Sequence, residues 1–293
     1  MGFENWDEVR TAYHVARLGT VSGAAEVLGV HHATVIRHID ALEKRLGTRL
    51  FQRHARGYTP TEAGRDLLAV AQATEDQFNQ LASRLRGQGD AVSGELVVTS
   101  IAGISALLTP VFLAFQAEHP GVTIRYLTDT RLFRLEYGEA HVAIRAGATP
   151  EEPDNVVQPL SRLRPGLYAT RAYVAAHGLP AGPEDFAGHH FVGVDGDVTR
   201  APFHRWLRAR VAPEAFSYVT SDSVAMEDAV RAGAGIGFLS VHEAERNPDL
   251  VAIMPPQPEW EAPLWLVTHV DLHRTPKVQA FLAHIKAAAR DWS

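Results

Sequence analysis

Cysteine is absent from all 293 residues, which excludes disulfides, thiolate metal sites and thiol-based redox sensing, and fits a reducing compartment. No apolar run approaches the length that crosses a bilayer, and the opening segment MGFENWDEV lacks the apolar core of a secretion signal. The expectation is a cytoplasmic protein with no membrane contact. The signatures of common enzymes are missing too. The fifteen histidines include no HExxH arrangement; His31-His32 and His189-His190 are adjacent pairs, which point apart on a strand and share a metal poorly on a helix. No GxSxG elbow occurs. The glycine-rich GAGIGF from Gly233 lies between a helix and a following strand, the reverse of the order a dinucleotide loop requires. These absences weigh against an α/β enzyme and imply no cofactor and no metal.

What is present is ordinary for a globular protein. Charged residues make up 21% and hydrophobic residues 46%, and the length allows two or three domains with buried cores. The net charge of −6, however, is unevenly spread. Between His31 and Tyr58 the cations Arg37, Lys44, Arg45, Arg49, Arg53 and Arg56 meet only Asp40 and Glu43, a basic head on an otherwise acidic body. Such asymmetry fits a small module that faces nucleic acid, attached to a domain that does not.

The head is organised around Ser22–Leu46, reading SGAAEVLGVHHATVIRHIDALEKRL. Ser22 is placed to cap a first helix, Ala24, Ala25 and Leu28 give it a small apolar face, and Gly29 ends it. Val35, Ile39, Leu42 and Leu46, spaced 4, 3 and 4, form the buried stripe of a second helix closed by Gly47. His31, His32, Thr34, Arg37 and His38 fall on its outward side near the start. Two helices joined by a glycine-containing turn, the second polar and basic in its first half, predict a DNA-reading helix-turn-helix; the alternative is an ordinary helical hairpin. Asn5–Leu18 reads as a supporting helix, with Asn5 and Glu8 as a capping pair. Downstream, TRLFQRHARGYTPTEAG holds Leu50 and Phe51 as buried residues. Arg53, Arg56 and Gly57 form a turn before Tyr58, the composition of a β-wing. Three histidines on the reading helix predict a DNA affinity that falls as pH rises through neutrality.

Thr59-Pro60-Thr61-Glu62 predicts a helix start with Thr59 as cap and Pro60 in the first turn. Leu67, Ala71, Thr74, Phe78, Leu81 and Leu85 then recur at 4, 3, 4, 3 and 4, flanked by Gln72, Glu75, Asp76 and Gln80. That narrow seam predicts a dimer-forming linker, with a core helix as the alternative. Gly87-Gln88-Gly89-Asp90 ends the unit. From Ser93 the texture changes: GELVVTSI, a helix from Leu107 to His119, VTIRYLTD, a helix leading to Tyr137-Gly138, and HVAIRAG. A second set comprises Leu163–Ala169, Phe191–Val194, Ser217–Thr220, a helix over Ser223–Ala232 and Ile236–Leu239. A strand over Leu264–Thr268 and a helix over Pro276–Ala289 close the chain. This rhythm predicts parallel sheets with crossover helices in two consecutive α/β halves, and a ligand cleft between them.

The segments SGAAEVLGV, HIDALEKRLGTRLF, RGYTPTEAG, ELVVTS, HVAIRAG, SDSVAMEDAVRAGAGIGFLS and DLHRTPKVQAFLAHI, in that order, resemble a LysR-type transcriptional regulator over essentially the whole chain. The resemblance implies an α/β protein with a winged helix-turn-helix head (1–60), a dimerising linker helix (61–90) and a two-lobed, periplasmic-binding-protein-like effector domain (91–293). Lobe I would span about 91–163 and 268–293, and lobe II about 164–267. It further implies a homodimer or homotetramer on a pseudo-palindromic double-stranded DNA operator, a small-molecule inducer or co-repressor in the cleft, and RNA polymerase as a further partner. By position, His31, His32, Thr34, Arg37 and His38 are the candidates for base edges, and Ser22, Arg53 and Arg56 for phosphates or the minor groove. The family pattern puts the effector against Ser100, Ala102 and Gly103, Thr128 and Asp129, Arg145 and Gly147, and, in the other half, Phe203 with Ser221, Asp222 and Ser223. Arg145 is equally suited to an anion or an interface carboxylate, whereas Asp222 is more often a helix cap than a ligand contact. The reading helix departs from the family: His31-His32-Ala33 replace a common serine-glutamine-proline start, Ile36 a serine and His38 a glutamine. A stand-alone solute-binding protein is the remaining rival; it would need a secretion signal and would leave the basic head unexplained.

Overall fold

The computed structural model describes residues 5–54, 57–85, 92–129, 131–195 and 201–292. The head consists of α1 (Trp6–Leu18), α2 (Val21–Leu28), α3 (His32–Leu46) and a wing of β1 (Phe51–His54) and β2 (Gly57–Pro60). Asn5 caps α1 by accepting from the Asp7 N–H at 3.1 Å, and its amide donates to Glu8 at 3.0 Å, a side-chain link in place of a reciprocal capping box. The cap of α2 is Thr20, not Ser22: its hydroxyl accepts from the Gly23 N–H at 3.1 Å, which leaves Ser22 exposed in the first turn. Gly29 and Gly47 end α2 and α3 with φ of 64° and 67°, as their positions predict. Val35, Ile39 and Leu42 are buried in one core with Val9, Ala12, Tyr13 and Val15 of α1 and with Leu50 and Phe51. At about 1.5–3 kcal/mol for each large apolar side chain withdrawn from water, this stripe fastens the reading helix to its support.

The linker helix α4 (Glu62–Leu85) starts two residues later than expected. Thr59 and Pro60 are taken by the wing, pairing with Gln52 and Phe51, so Thr61 becomes the cap and accepts from the Gly64 N–H at 3.2 Å.

The first lobe of the body holds β3 (Gly94–Ser100), α5 (Ser105–Glu118), β4 (Val122–Thr128), β5 (Val142–Ala146) and β6 (Asn155–Leu163). The second holds β7 (Pro165–Thr170), α6 (Arg171–His177), β8 (Phe191–Val194), α7 (Pro202–Arg208), β9 (Phe216–Thr220), α8 (Ser223–Arg231), β10 (Gly237–Ser240), α9 (Val241–Ala244) and β11 (Leu250–Met254). The chain then returns to the first lobe through β12 (Ala262–His269), α10 (Val270–His273) and α11 (Pro276–Ala288).

Sheet direction differs from the expected parallel pattern. The first-lobe order is β4-β3-β5-β12-β6; β4, β3 and β5 are parallel, whereas β12 runs antiparallel to both its neighbours. In the second lobe β10-β7-β11 is fully antiparallel, while β8 and β9 are parallel and Phe191 forms a further parallel bridge with Ile236. Alternating apolar residues announce a strand but carry no information about its partner's direction. The helix expected before Tyr137-Gly138 is a single 3-10 turn, Leu135–Tyr137. Arg131 and the backbone N–H of Arg134 both bond Glu139 at 2.8 Å, which folds the segment into a loop. Each lobe has its own core, one around Phe112, Phe115 and Phe281, the other around Phe191, Phe238 and Trp260.

Candidate DNA-binding face and effector cleft

The first half of α3 presents His31, His32 and Arg37 to solvent, with Thr34 half-buried beside them. His38 does not join this face. The single hydroxyl hydrogen of Thr11 goes to the Asp7 carbonyl at 2.6 Å, so His38 Nδ1, 2.9 Å from that oxygen, is the donor and the ring is tied to α1. Arg53 is likewise diverted from phosphate or minor groove: its guanidinium pairs with Asp40 at 2.6 Å and Glu43 at 2.9 Å. Arg56 lies outside the described residues. The local positive charge is thus largely spent inside the head, since Arg45 pairs with Glu8 and Arg49 with Glu43, both at 2.8 Å. Among the described residues of this stretch, Arg37 and Lys44 are exposed cations that meet no acidic side chain.

Glu43 organises this arrangement, and the sequence offered only one signal for it, an acid inside a basic run. Its buried carboxylate accepts from the N–H groups of Leu50 and Phe51 at 2.8 and 3.1 Å, as well as from Arg49 and Arg53. Burial by itself would raise its pKa; the hydrogen bonds from Arg49, the two backbone amides and Arg53 outweigh it and hold the carboxyl below the usual range. The reading helix and the wing are therefore clamped through one anion.

The seam expected along α4 splits in two. Leu67 and Ala71 turn inward and pack on the head core, while Phe78 is 57% and the neighbouring Val70 66% exposed, with Trp6 edge-on to Phe78 at 6.1 Å. The side chains of Leu81, Leu85, Asp76 and Gln80 lie outside the described residues, as do Gly87-Gln88-Gly89-Asp90. Two expected solvated flanks are engaged: Glu75 accepts from the Tyr13 hydroxyl at 2.8 Å, and Gln72 is buried.

In the body, Ser100 and Thr128 are register partners at the ends of β3 and β4. Ser100 gives its hydroxyl hydrogen to the Ile101 carbonyl at 2.8 Å and receives one from Tyr126 at 2.5 Å, so it is a buried, saturated group rather than an open hydroxyl. Thr128 and Asp129 are exposed, and Asp129 accepts from the Arg131 N–H at 3.1 Å. Arg145 resolves in favour of a carboxylate of its own chain: it pairs with Glu152 at 2.8 Å and donates to the Phe133 carbonyl at 3.2 Å. The Gly147 carbonyl accepts from the Trp265 indole at 2.9 Å. Phe203 belongs to the second-lobe core, packed on Phe238 at 4.9 Å. Asp222 caps α8, accepting from the Ala225 N–H at 2.8 Å, with Ser221 exposed before it.

The lobes touch where the 3-10 turn Ala102–Ile104 meets α8. A Cβ placed on Gly103 would stand 3.3 Å from Ser223 Oγ and 3.5 Å from Glu227 Oε1, so the turn and the helix are in close contact there. Glu227 escaped the sequence reading because its spacing is that of a buried helical position and its chemistry that of a solvated one. Its carboxyl pKa is pushed up to about 8 by burial first and by Glu243 second, against the lowering effect of Arg231 at 3.3 Å. Among the described residues no group of three or more His, Asp or Glu side chains is placed to hold a metal ion, and no helix is long and apolar enough to cross a membrane.

A winged helix-turn-helix whose reading helix is exposed, joined by one long helix to two ligand-cleft lobes, defines a DNA-binding regulator of the one-chain type. Residues 6–65 match the family model of the bacterial regulatory helix-turn-helix protein, lysR family, and residues 89–290 match that of the LysR substrate binding domain. The chain belongs to the LysR family of transcriptional regulators. The HTH-type transcriptional activator IlvY of Salmonella typhimurium is 31% identical over 251 residues, covering 83% of this chain and 85% of that one. Among solved structures, a full-length OxyR variant of Pseudomonas aeruginosa matches 99% of this chain and 96% of its own at a TM-score of 0.73 and 17% identity. Full-length LysG of Corynebacterium glutamicum with bound effector Arg matches 98% of each chain at a TM-score of 0.69 and 18% identity. Curated relatives are named as regulators, and this chain is a regulator rather than an enzyme.

Proposed function

We propose that the protein is a cytoplasmic LysR-type regulator whose operator binding, or activation of a promoter, is modulated by a small polar effector held between the lobes. It acts as a homodimer or homotetramer on pseudo-palindromic double-stranded DNA, with RNA polymerase as a further partner and no cofactor beyond the effector. The observation that carries this reading is the exposed first half of α3, where Arg37 has no acidic partner among the described residues, whereas Arg45, Arg49 and Arg53 do. His31 and His32 are exposed and Thr34 is half-buried at the start of the same helix, and the exposed Ser22 in the first turn of α2 is the candidate for a phosphate contact. The exposed Val70, Phe78 and Trp6 patch supports the dimer. The cleft reading rests on Gly103 against Ser223, with Thr128 and Asp129 exposed near Ser100.

Fluorescence anisotropy with the DNA upstream of the protein's own gene tests the proposal, and absence of binding to that DNA at low salt would remove it. Arg37→Ala is expected to cost about 1–3 kcal/mol on operator DNA and to relax discrimination; equal weakening on random DNA would demote Arg37 to a phosphate contact. A double His31→Gln, His32→Gln variant is expected to weaken operator binding, and an unchanged affinity would clear these side chains.

A further inference from the structure

Within one chain, the head, the linker and the body meet through buried polar groups. Gln72 of α4 is 9% exposed, His141 just ahead of β5 is 1% exposed, and Lys277 at the start of α11 is 2% exposed. His141 Nε2 lies 3.3 Å from the Gln72 amide and 3.3 Å from Lys277 Nζ. On its other side the residue joins two strands: the ring's Nδ1 accepts from the Val97 N–H at 2.9 Å, while the backbone N–H of His141 donates to the Val97 carbonyl at 2.9 Å. Lys277 Nζ donates to the carbonyl of Glu95. The Glu95 side chain pairs with Arg17 of α1 at 2.9 Å, and Arg17 also donates to the Tyr13 hydroxyl, which holds Glu75 of α4. The turn before His141 presses on α4, since a Cβ on Gly138 would stand 3.1 Å from Gln72 Oε1 and 3.5 Å from Ala69 Cα.

Two features distinguish this junction from a passive contact. An apolar interface tolerates small sliding movements, whereas here Nδ1 accepts and leaves Nε2–H facing two further donors, Gln72 Nε2 and Lys277 Nζ, so the energy depends steeply on how the three groups are set. The strands gripped by His141 also lead directly to the cleft. β3 runs from Glu95 to Ser100, and β5 runs from Val142 to Arg145 and on to Gly147, a span of about 15–20 Å at the rise of an extended chain. A shift of β3 against β5 at the cleft end therefore moves the imidazole that faces Gln72. We propose that the Gln72–His141–Lys277 cluster, with Arg17–Glu95 at its rim, couples the interlobe cleft to the setting of the DNA-binding head in the same chain. The proposal rests on the DNA-binding reading given above and adds the route by which the two sites communicate.

Coupling is reciprocal, so DNA itself serves as the probe. Hydrogen exchange of the full chain is measured with and without the DNA fragment upstream of its own gene. In the wild-type protein, DNA is expected to change amide exchange by about fivefold or more at Ser100–Gly103 and Thr128–Asp129. Gln72→Met, which keeps the volume and removes the polar partner, is expected to bind the fragment but to lose that distant change. Arg17→Gln, at the more exposed rim, tests the second arm and covers the case in which Gln72→Met fails to fold; it should at least halve the effect. Wild-type binding with no change at the cleft, or a change retained in full by the folded variants, overturns the coupling. Failure of the wild-type protein to bind the fragment overturns the DNA-binding reading instead.

Discussion

Glu43→Ala is expected to destabilise the head by about 2–6 kcal/mol, because two buried backbone donors lose their acceptor at about 1–3 kcal/mol each. The loss is large because four donors converge on this carboxylate: the N–H groups of Leu50 and Phe51 and the guanidinium groups of Arg49 and Arg53. Without it, two backbone donors at the entry to the wing lose their acceptor, while Arg49 turns to water and Arg53 keeps only Asp40. Thermal unfolding of the full chain should show a lowered head transition, and operator binding should vanish at temperatures where the body is still folded. Acid should reproduce the effect. The folded carboxyl titrates below its unfolded value, so its contribution is full above about pH 4.5 and is lost as pH falls through the lower folded value. A head transition unmoved by Glu43→Ala would show that the helix–wing clamp is carried by apolar packing alone.

The effector domain is expected to respond to pH with the opposite sign. The Glu227 carboxyl releases its proton near 4.5 in the unfolded chain but holds it to about 8 in the folded one. Between those values the folded state binds the extra proton, so unfolding releases it and rising pH favours the unfolded chain. The stability contributed by the protonated form is complete below about 4.5 and lost by about pH 8. Glu227→Gln keeps the shape without the charge. It should leave the effector-domain Tm little changed at acid pH, raise it above pH 8, and flatten its pH dependence. Parallel pH profiles of wild type and variant in differential scanning calorimetry would show that Glu227 does not carry this titration.

Helical periodicity made α1, α3 and the buried stripe of Val35, Ile39 and Leu42 legible, because a period near 3.6 is a local consequence of backbone geometry. Caps were legible in kind and not in position. Ser22 and Thr20 offer the same hydroxyl, and the one that caps α2 is decided by where α1 ends at Gly19. Thr59 and Thr61 are equivalent in the same way, until the pairing of Thr59 with Gln52 removes the first. Of the residues expected at the cleft, Gly103 and Ser223 stand against each other, whereas the Ser100 hydroxyl is held by Ile101 and Tyr126 and the half-buried Phe203 ring packs on Phe238, partners that local spacing does not show.

By itself, then, the sequence determined the order of modules, the apolar faces of the head helices, the two-lobed body and the family, since each is written in spacing and motif over short stretches. Tertiary structure decided which charges remain available for DNA and ligand. Arg53 is drawn to Asp40 and Glu43, Arg145 to Glu152, and Gln72 to His141, a residue 69 positions away. It also decided strand direction, with β12 antiparallel between β5 and β6. The physical reason is common to all of these. A side chain's partner depends on the distance between segments brought together by folding, because a hydrogen bond exists only at contact distance and an ion pair weakens with separation and salt.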